Sequence, residues 1–167
     1  MSSKPIFVID TSVFVQAYKN YYAFDIVPSF WQVIKHHAES GQVISIDRIK
    51  REINNYAEDD ELKIWTNNEF TKWFHSTDDE SVFAEYRQII NWSINNHQFT
   101  DAAKAEFASV ADSWLIAFAK AFDYVLVTQE VSEPKIKRKI PIPNVCQEFG
   151  VRYINTYGML RRLNVNL

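Results

Sequence analysis

The chain has 167 residues, 47% of them hydrophobic and 15% aromatic, which is enough apolar material to bury a core and excludes a disordered chain. Its formal net charge of −3 argues against coating nucleic acid by bulk electrostatics, but leaves room for an acidic site that recruits cations. One cysteine, Cys146, no bilayer-length apolar run and no signal-peptide pattern at Met1–Lys4 together point to a soluble domain in a reducing cytoplasm.

Pro5-Ile6-Phe7-Val8-Ile9 is a short continuous apolar run rich in β-branched residues, which predicts a buried strand of a parallel sheet. Asp10-Thr11-Ser12 follows, and Val13 to Tyr18 reads as a helix that Thr11 or Ser12 can cap. Asp10 thus stands where a strand hands over to a helix. Pro28 opens a helix over 29–40, and Gly41 stops it. Val43-Ile44-Ser45-Ile46 predicts a second strand. Ile46, Ile49, Ile53 and Tyr56 then mark a helix with Asp47 as its cap and Glu52 on its length. The acidic run Glu58–Glu61 leads to a helix around 62–68, and Asp78-Asp79-Glu80 is a second acidic break. Val82, Phe83, Tyr86, Ile89, Ile90 and Ser93 recur at helical spacing. A helix over 110–122, a buried strand Tyr124–Thr128 and a basic loop Lys135–Pro143 come next, then a strand Val151–Ile154 and a short helix Gly158–Leu163. Strands alternating with helices predict an α/β fold in three layers, a central mostly parallel sheet flanked by helices. The expectation is one domain over residues 1–167, with a helical insertion or lobe around 58–108.

In an open parallel sheet, ligands collect beyond the carboxyl ends of the strands. Asp10 ends the first strand, Glu130 lies just past the strand 124–128, and Asp112 opens an otherwise apolar helix. Topology alone gathers these three at one sheet edge, and Glu52 joins them if its helix points inward. Converging carboxylates repel and raise one another's pKa. A divalent cation relieves that repulsion, and oxygen-only ligation selects magnesium or manganese over zinc. Phosphodiester hydrolysis is the chemistry such a cluster suits best.

Val8-Ile9-Asp10-Thr11-Ser12, Ile49-Lys50-Arg51-Glu52-Ile53, and Ala111-Asp112 through Val127-Thr128-Gln129-Glu130 resemble, in this order, the motifs of the PIN-domain nucleases, a family that includes VapC-type toxin ribonucleases. Tyr21 to Trp31 and Ile140 to Cys146 resemble more closely an uncharacterised PIN-like branch whose members are often assigned to toxin–antitoxin pairs. The resemblance covers nearly the whole chain. It implies a PIN-like fold and a Mg2+- or Mn2+-dependent endoribonuclease acting on single-stranded RNA. Asp10, Glu52, Asp112 and Glu130 would be its metal ligands, with hydroxyl support from Thr11, Ser12 or Thr128. It also implies a small antitoxin protein as partner, a homodimer as a further assembly, and no membrane. Glu130 stands where the family usually has Asp, and Glu133, three residues on, is the alternative fourth acid.

Each of these residues also has a plainer role. Asp10 is a favoured helix cap, Asp112 complements a helix dipole, and Glu52 suits a solvated helix face. Lys135, Lys137, Arg138 and Lys139 suit either phosphate contact or simple solvation. The aromatic segment Tyr21–Trp31 suits base stacking or core packing. His36, His37, His75 and His97 lack metal-ligand spacing. Two other functions stay open: a non-catalytic PIN-like module that binds protein or RNA, and a structure-specific DNA nuclease.

Overall fold

The structure, a computed structural model, describes residues 3–167, so the first two residues of the Met1–Lys4 segment lie outside it. Strand β1 (Phe7–Ile9) runs directly into helix α1 (Thr11–Gln16), which a π-helical turn prolongs over Ala17–Tyr21. Helix α2 (Pro28–Glu39), strand β2 (Val43–Ile46) and helix α3 (Asp47–Asn54) follow. Helix α4 (Glu61–Trp65) continues through a π-helical turn, Thr66–Phe70, and a 3-10 turn, Thr71–Trp73, into the two-residue strand β3 (Phe74–His75). Three helices come next: α5 (Glu80–Asn95), α6 (Asp101–Ser109) and α7 (Asp112–Phe122). Strand β4 (Val125–Val127), helix α8 (Ile142–Phe149), strand β5 (Tyr153–Ile154) and helix α9 (Thr156–Arg162) complete the chain.

The strands lie in the order β3-β2-β1-β4-β5, and every pairing is parallel. The three apolar runs at the centre, β1, β2 and β4, are buried at every position, as continuous hydrophobic strands covered by helices on both faces must be. From β1 the chain builds first to one side, through β2 and β3, and then returns to the other side for β4 and β5. The β1–β4 junction is therefore a switch point, where connections leave in opposite directions and open a crevice past the strand ends. The register Phe7 with Val125, Val8 with Leu126 and Ile9 with Val127 sets Asp10 and Thr128 side by side at its floor.

Several local expectations change. Asp47 does not cap α3. It is the helix's first residue, and its carboxylate instead accepts from the Thr77 N–H at 3.3 Å and the Thr77 hydroxyl at 2.9 Å, tying α3 to the chain just past β3. Strand β3 is short and half exposed, so it carries no periodicity to read. Helix α6 starts at a Thr100 cap, whose hydroxyl accepts from the Ala103 N–H at 3.1 Å. The basic loop ends at Pro141, because Pro143 sits in the first turn of α8, where no intrahelical N–H is required.

Two packing clusters hold the site-bearing helices. Phe70, fully buried, meets the rings of Phe14 at 5.4 Å, Trp65 at 5.8 Å and Phe74 at 5.1 Å, which seats α1 against the β3 side of the sheet. On α7, Trp114 stacks on Tyr86 of α5 at 3.7 Å, and the Arg48 guanidinium of α3 lies 3.7 Å from the Trp114 ring centre. The first turn of α7 is thereby pinned between two other helices. No helix among the described residues is long and apolar enough to cross a membrane.

Truncating the hub of the first cluster, Phe70→Ala, is expected to lower the unfolding free energy by about 3–5 kcal/mol. Ile64→Ala, at a position 46% exposed, should stay within about 0.5 kcal/mol of the parent. Urea unfolding of both variants checks the contrast, and equal effects would show that the aromatic cluster does not anchor α1.

Candidate functional site

Asp10 immediately follows β1 and is only 4% exposed. It occupies the cap position of α1, but its side chain makes no capping bond. The Ser12 hydroxyl donates to Asp10 Oδ2 at 2.6 Å, and the Thr128 hydroxyl donates to the same oxygen at 2.9 Å. Each hydroxyl is itself held by a backbone donor. The Gln129 N–H reaches Ser12 Oγ at 3.0 Å, and the Glu130 N–H reaches Thr128 Oγ1 at 3.1 Å. The two hydroxyls thus present their protons to one oxygen of Asp10. Oδ1 takes no hydrogen bond among the described residues.

Glu52 does point inward from α3. Its Oε2 accepts from the Thr11 hydroxyl at 2.8 Å and its Oε1 from the Ala111 N–H at 3.0 Å. One carboxylate thereby braces α1, α3 and the turn that starts α7. Asp112, the first residue of α7, makes no side-chain hydrogen bond or ion pair among the described residues. Glu130 reaches back across the loop: its Oε2 accepts from the Ile142 N–H at the start of α8 at 2.7 Å, and Lys139 Nζ donates to its Oε1 at 2.9 Å. The Glu133 backbone is clamped by the Asn144 side-chain amide, with its N–H donating at 3.0 Å and its carbonyl accepting at 2.9 Å, whereas the charge of Glu130 is felt at Asp10 and Asp112.

The four acids feel one another. Burial pushes Asp10 up to about 6, opposed by the Ser12 hydrogen bond and reinforced by the charges of Glu130 and Glu52. Burial likewise drives Asp112 well above the usual carboxylate range, with Asp10, Glu130 and Glu52 adding repulsion that Lys139 partly relieves. Asp112 keeps a solvent-reachable edge. Beneath the site, burial lifts the Cys146 thiol to about 12, with Glu130 and Asp10 contributing, which leaves it an inert apolar residue.

This donor set is all oxygen and strongly anionic, the chemistry that hard divalent cations match. As the side chains stand, no three acids among the described residues are close enough to chelate one ion, because Glu52 and Glu130 are turned to their present partners. Of the basic loop, Lys135, Lys137 and Arg138 are exposed beside a surface hollow of about 620 Å3, while Lys139 alone reaches the acids. In the sequence these four cations are indistinguishable and Glu106 has no feature that marks it. Glu106 and Lys139 both line a cavity of about 20 Å3 next to Asp112. Loop conformation, which has no periodic signature, is what separates Lys139 from its neighbours.

The family described as "Domain of unknown function (DUF4411)" matches residues 7–167. No curated protein matches the chain. Among solved structures, the crystal structure of FitAcB from Neisseria gonorrhoeae is similar with a TM-score of 0.54 at 15% identity, covering 91% of this chain and 99% of that one. The structure of FitAB bound to IR36 DNA fragment is similar with a TM-score of 0.52 at 14% identity, covering 90% and 94%. At such identity the likeness concerns the fold, and the fold is the PIN-like α/β arrangement.

A folded-state pKa of about 6 against an ordinary 3.8 means that folding favours the protonated form of Asp10. Its contribution to stability is present below about pH 4, declines as pH rises through about 6, and stays lost above. Asn at position 10 keeps an acceptor for Ser12 and Thr128 without the charge. In metal-free protein, Asp10→Asn should therefore gain about 2–3 kcal/mol near pH 7.5 and little near pH 4. Thermal unfolding against pH in the presence of EDTA reads this, and a loss of stability at both pH values would contradict the electrostatic strain.

Proposed function

We propose that this chain, which belongs to the DUF4411 family, is a divalent-cation-dependent nuclease that hydrolyses single-stranded RNA in the cytoplasm. Mg2+ or Mn2+ is the cofactor, held among Asp10, Glu52, Asp112 and Glu130. The observation that supports this reading most is the crowding of four carboxylates from four chain segments at the switch point of a parallel sheet, with Asp10 and Asp112 driven toward protonation. A structural role alone gives no reason to collect that repulsion in one crevice, since buried charges are ordinarily paired. A cation held there by Asp10, Glu52, Asp112 and Glu130 would neutralise the acids and would supply Lewis-acid stabilisation to a phosphodiester.

The remaining tasks fall to the chain's own side chains. Ser12 and Thr128 fix the Asp10 carboxylate through Oδ2 and leave Oδ1 for a ligand. Thr11 orients Glu52. Lys135, Lys137 and Arg138 offer exposed positive charge for the phosphates of the strand being cut, contacts that position a nucleic acid without reading its sequence. The preference for RNA, and a place as the toxin of a toxin–antitoxin pair, rest on the resemblance to VapC-type ribonucleases. Tyr21 and Tyr157, at 49% and 39% exposure with rings 6.2 Å apart, give an antitoxin protein or a second copy of the chain an aromatic pair to cover. DNA is the second substrate reading, since the same metal chemistry would serve either sugar.

Digestion of single-stranded RNA, single-stranded DNA and flap substrates in Mg2+, Mn2+ or EDTA tests the reading. RNA cleavage that requires the metal, and that Asp10→Asn and Asp112→Asn each lower by at least about a hundredfold, is the expected result. Ser12→Ala, which removes one hydroxyl from Asp10, should cost about 10- to 100-fold. Full activity in Asp10→Asn would overturn the assignment, and a silent protein on every substrate would favour the binding module.

A further inference from the structure

The loop that closes over the acids brings a cation of its own, and the loop is built to place it. The Thr100 N–H donates to the Lys137 carbonyl at 2.9 Å, and the Gln98 side-chain amide donates to the carbonyls of Pro134 and Ile136 at 2.8 Å each. On the far side, Ile140 is only 3% exposed. The Lys139 backbone thus runs between an anchored residue and a buried one, while its side chain is half exposed. Its ammonium lies 2.9 Å from Glu130 Oε1, whereas Lys135, Lys137 and Arg138 form no ion pair among the described residues. The other Glu130 oxygen, Oε2, accepts from the Ile142 N–H at 2.7 Å, which holds the carboxylate toward the lysine. Lys139 also lines the small cavity of about 20 Å3 that it shares with Asp112. Burial works against its charge, but Glu130, Asp112 and Glu106 outweigh that and keep the ammonium protonated.

We propose that Lys139 is the built-in second cation of this site: Glu130 holds the lysine, and Asp10, Glu52 and Asp112 take a single divalent ion beside it. The inference rests on the metal-dependent reading above and narrows it. The Lys139 ammonium already offsets one of the four negative charges, so an incoming divalent ion meets three unpaired acids rather than four. The Glu130 side chain spans both the first backbone N–H of α8 and the lysine. Lys139 is accordingly a positioning residue that sets how many ions the acids accept.

Mn2+ binding to EDTA-stripped protein, followed by loss of the free-ion EPR signal, tests this without reference to activity. Wild type is expected to bind one Mn2+. Lys139→Met should bind a second, and hold the first at least about tenfold tighter, because a repelling charge has left and Glu130 is free. Lys139→Arg, which keeps the charge, should behave as wild type. Two ions in wild type, or the same stoichiometry and affinity in wild type and Lys139→Met, would overturn the proposal and leave the metal reading standing. No Mn2+ bound by either protein would overturn the metal reading itself.

Discussion

The structure turns on one constraint: a carboxylate must sit buried at the end of a strand that is itself buried on both faces, with three other acids close by. Asp10 is 4% exposed and its strand is fully enclosed. A buried charge without partners is too costly to keep, so such a group is either hydrogen-bonded or neutralised. Both remedies operate here. Ser12, two residues on, and Thr128, on the neighbouring strand's exit, each commit a hydroxyl proton to Asp10, and its pKa still rises to about 6. What remains is electrostatic tension that a rigid scaffold holds in place and a cation would release.

The scaffold is organised to hold it. Parallel pairing of β1 with β4 puts two strand exits together, and the reversal of chain direction at that seam leaves the space above them open. Helix α7 buries an apolar stretch from Leu115 to Ala119 and is pinned at its first turn by the Arg48–Trp114–Tyr86 stack, so Asp112 has little freedom to withdraw. Glu52 connects Thr11 to the Ala111 N–H and in this arrangement serves as a strut. The same carboxylate is thus useful to the fold before it is useful to a ligand. Residues with both duties are where stability and activity pull against each other.

Much of this was legible from the residues. Continuous β-branched runs identified β1, β2 and β4, because a strand covered on both faces has no polar alternation to offer. Once those strands are parallel, Asp10 and Glu130 follow from their places past the strand ends. Glu52 was harder, since a glutamate on a short helix gives no sign of which way it faces, and only its hydrogen bonds to Thr11 and Ala111 settle the direction. Lys139 was beyond reach. It ends a run of similar cations, and what singles it out is a loop shaped by contacts from Thr100 and Gln98, nearly forty residues earlier in the chain. Helix α8 escaped because its two prolines resemble a loop until one is placed at the cap and the other in the first turn.

The central claim is that these acids form one cation-binding site, and anomalous diffraction from crystals soaked in Mn2+ tests it most directly. The account predicts a strong anomalous peak between the Asp10 and Asp112 carboxylates, with Glu52 rotated toward it. Saturating Mn2+ that leaves this crevice without a peak, while the four side chains keep their present partners, would contradict it.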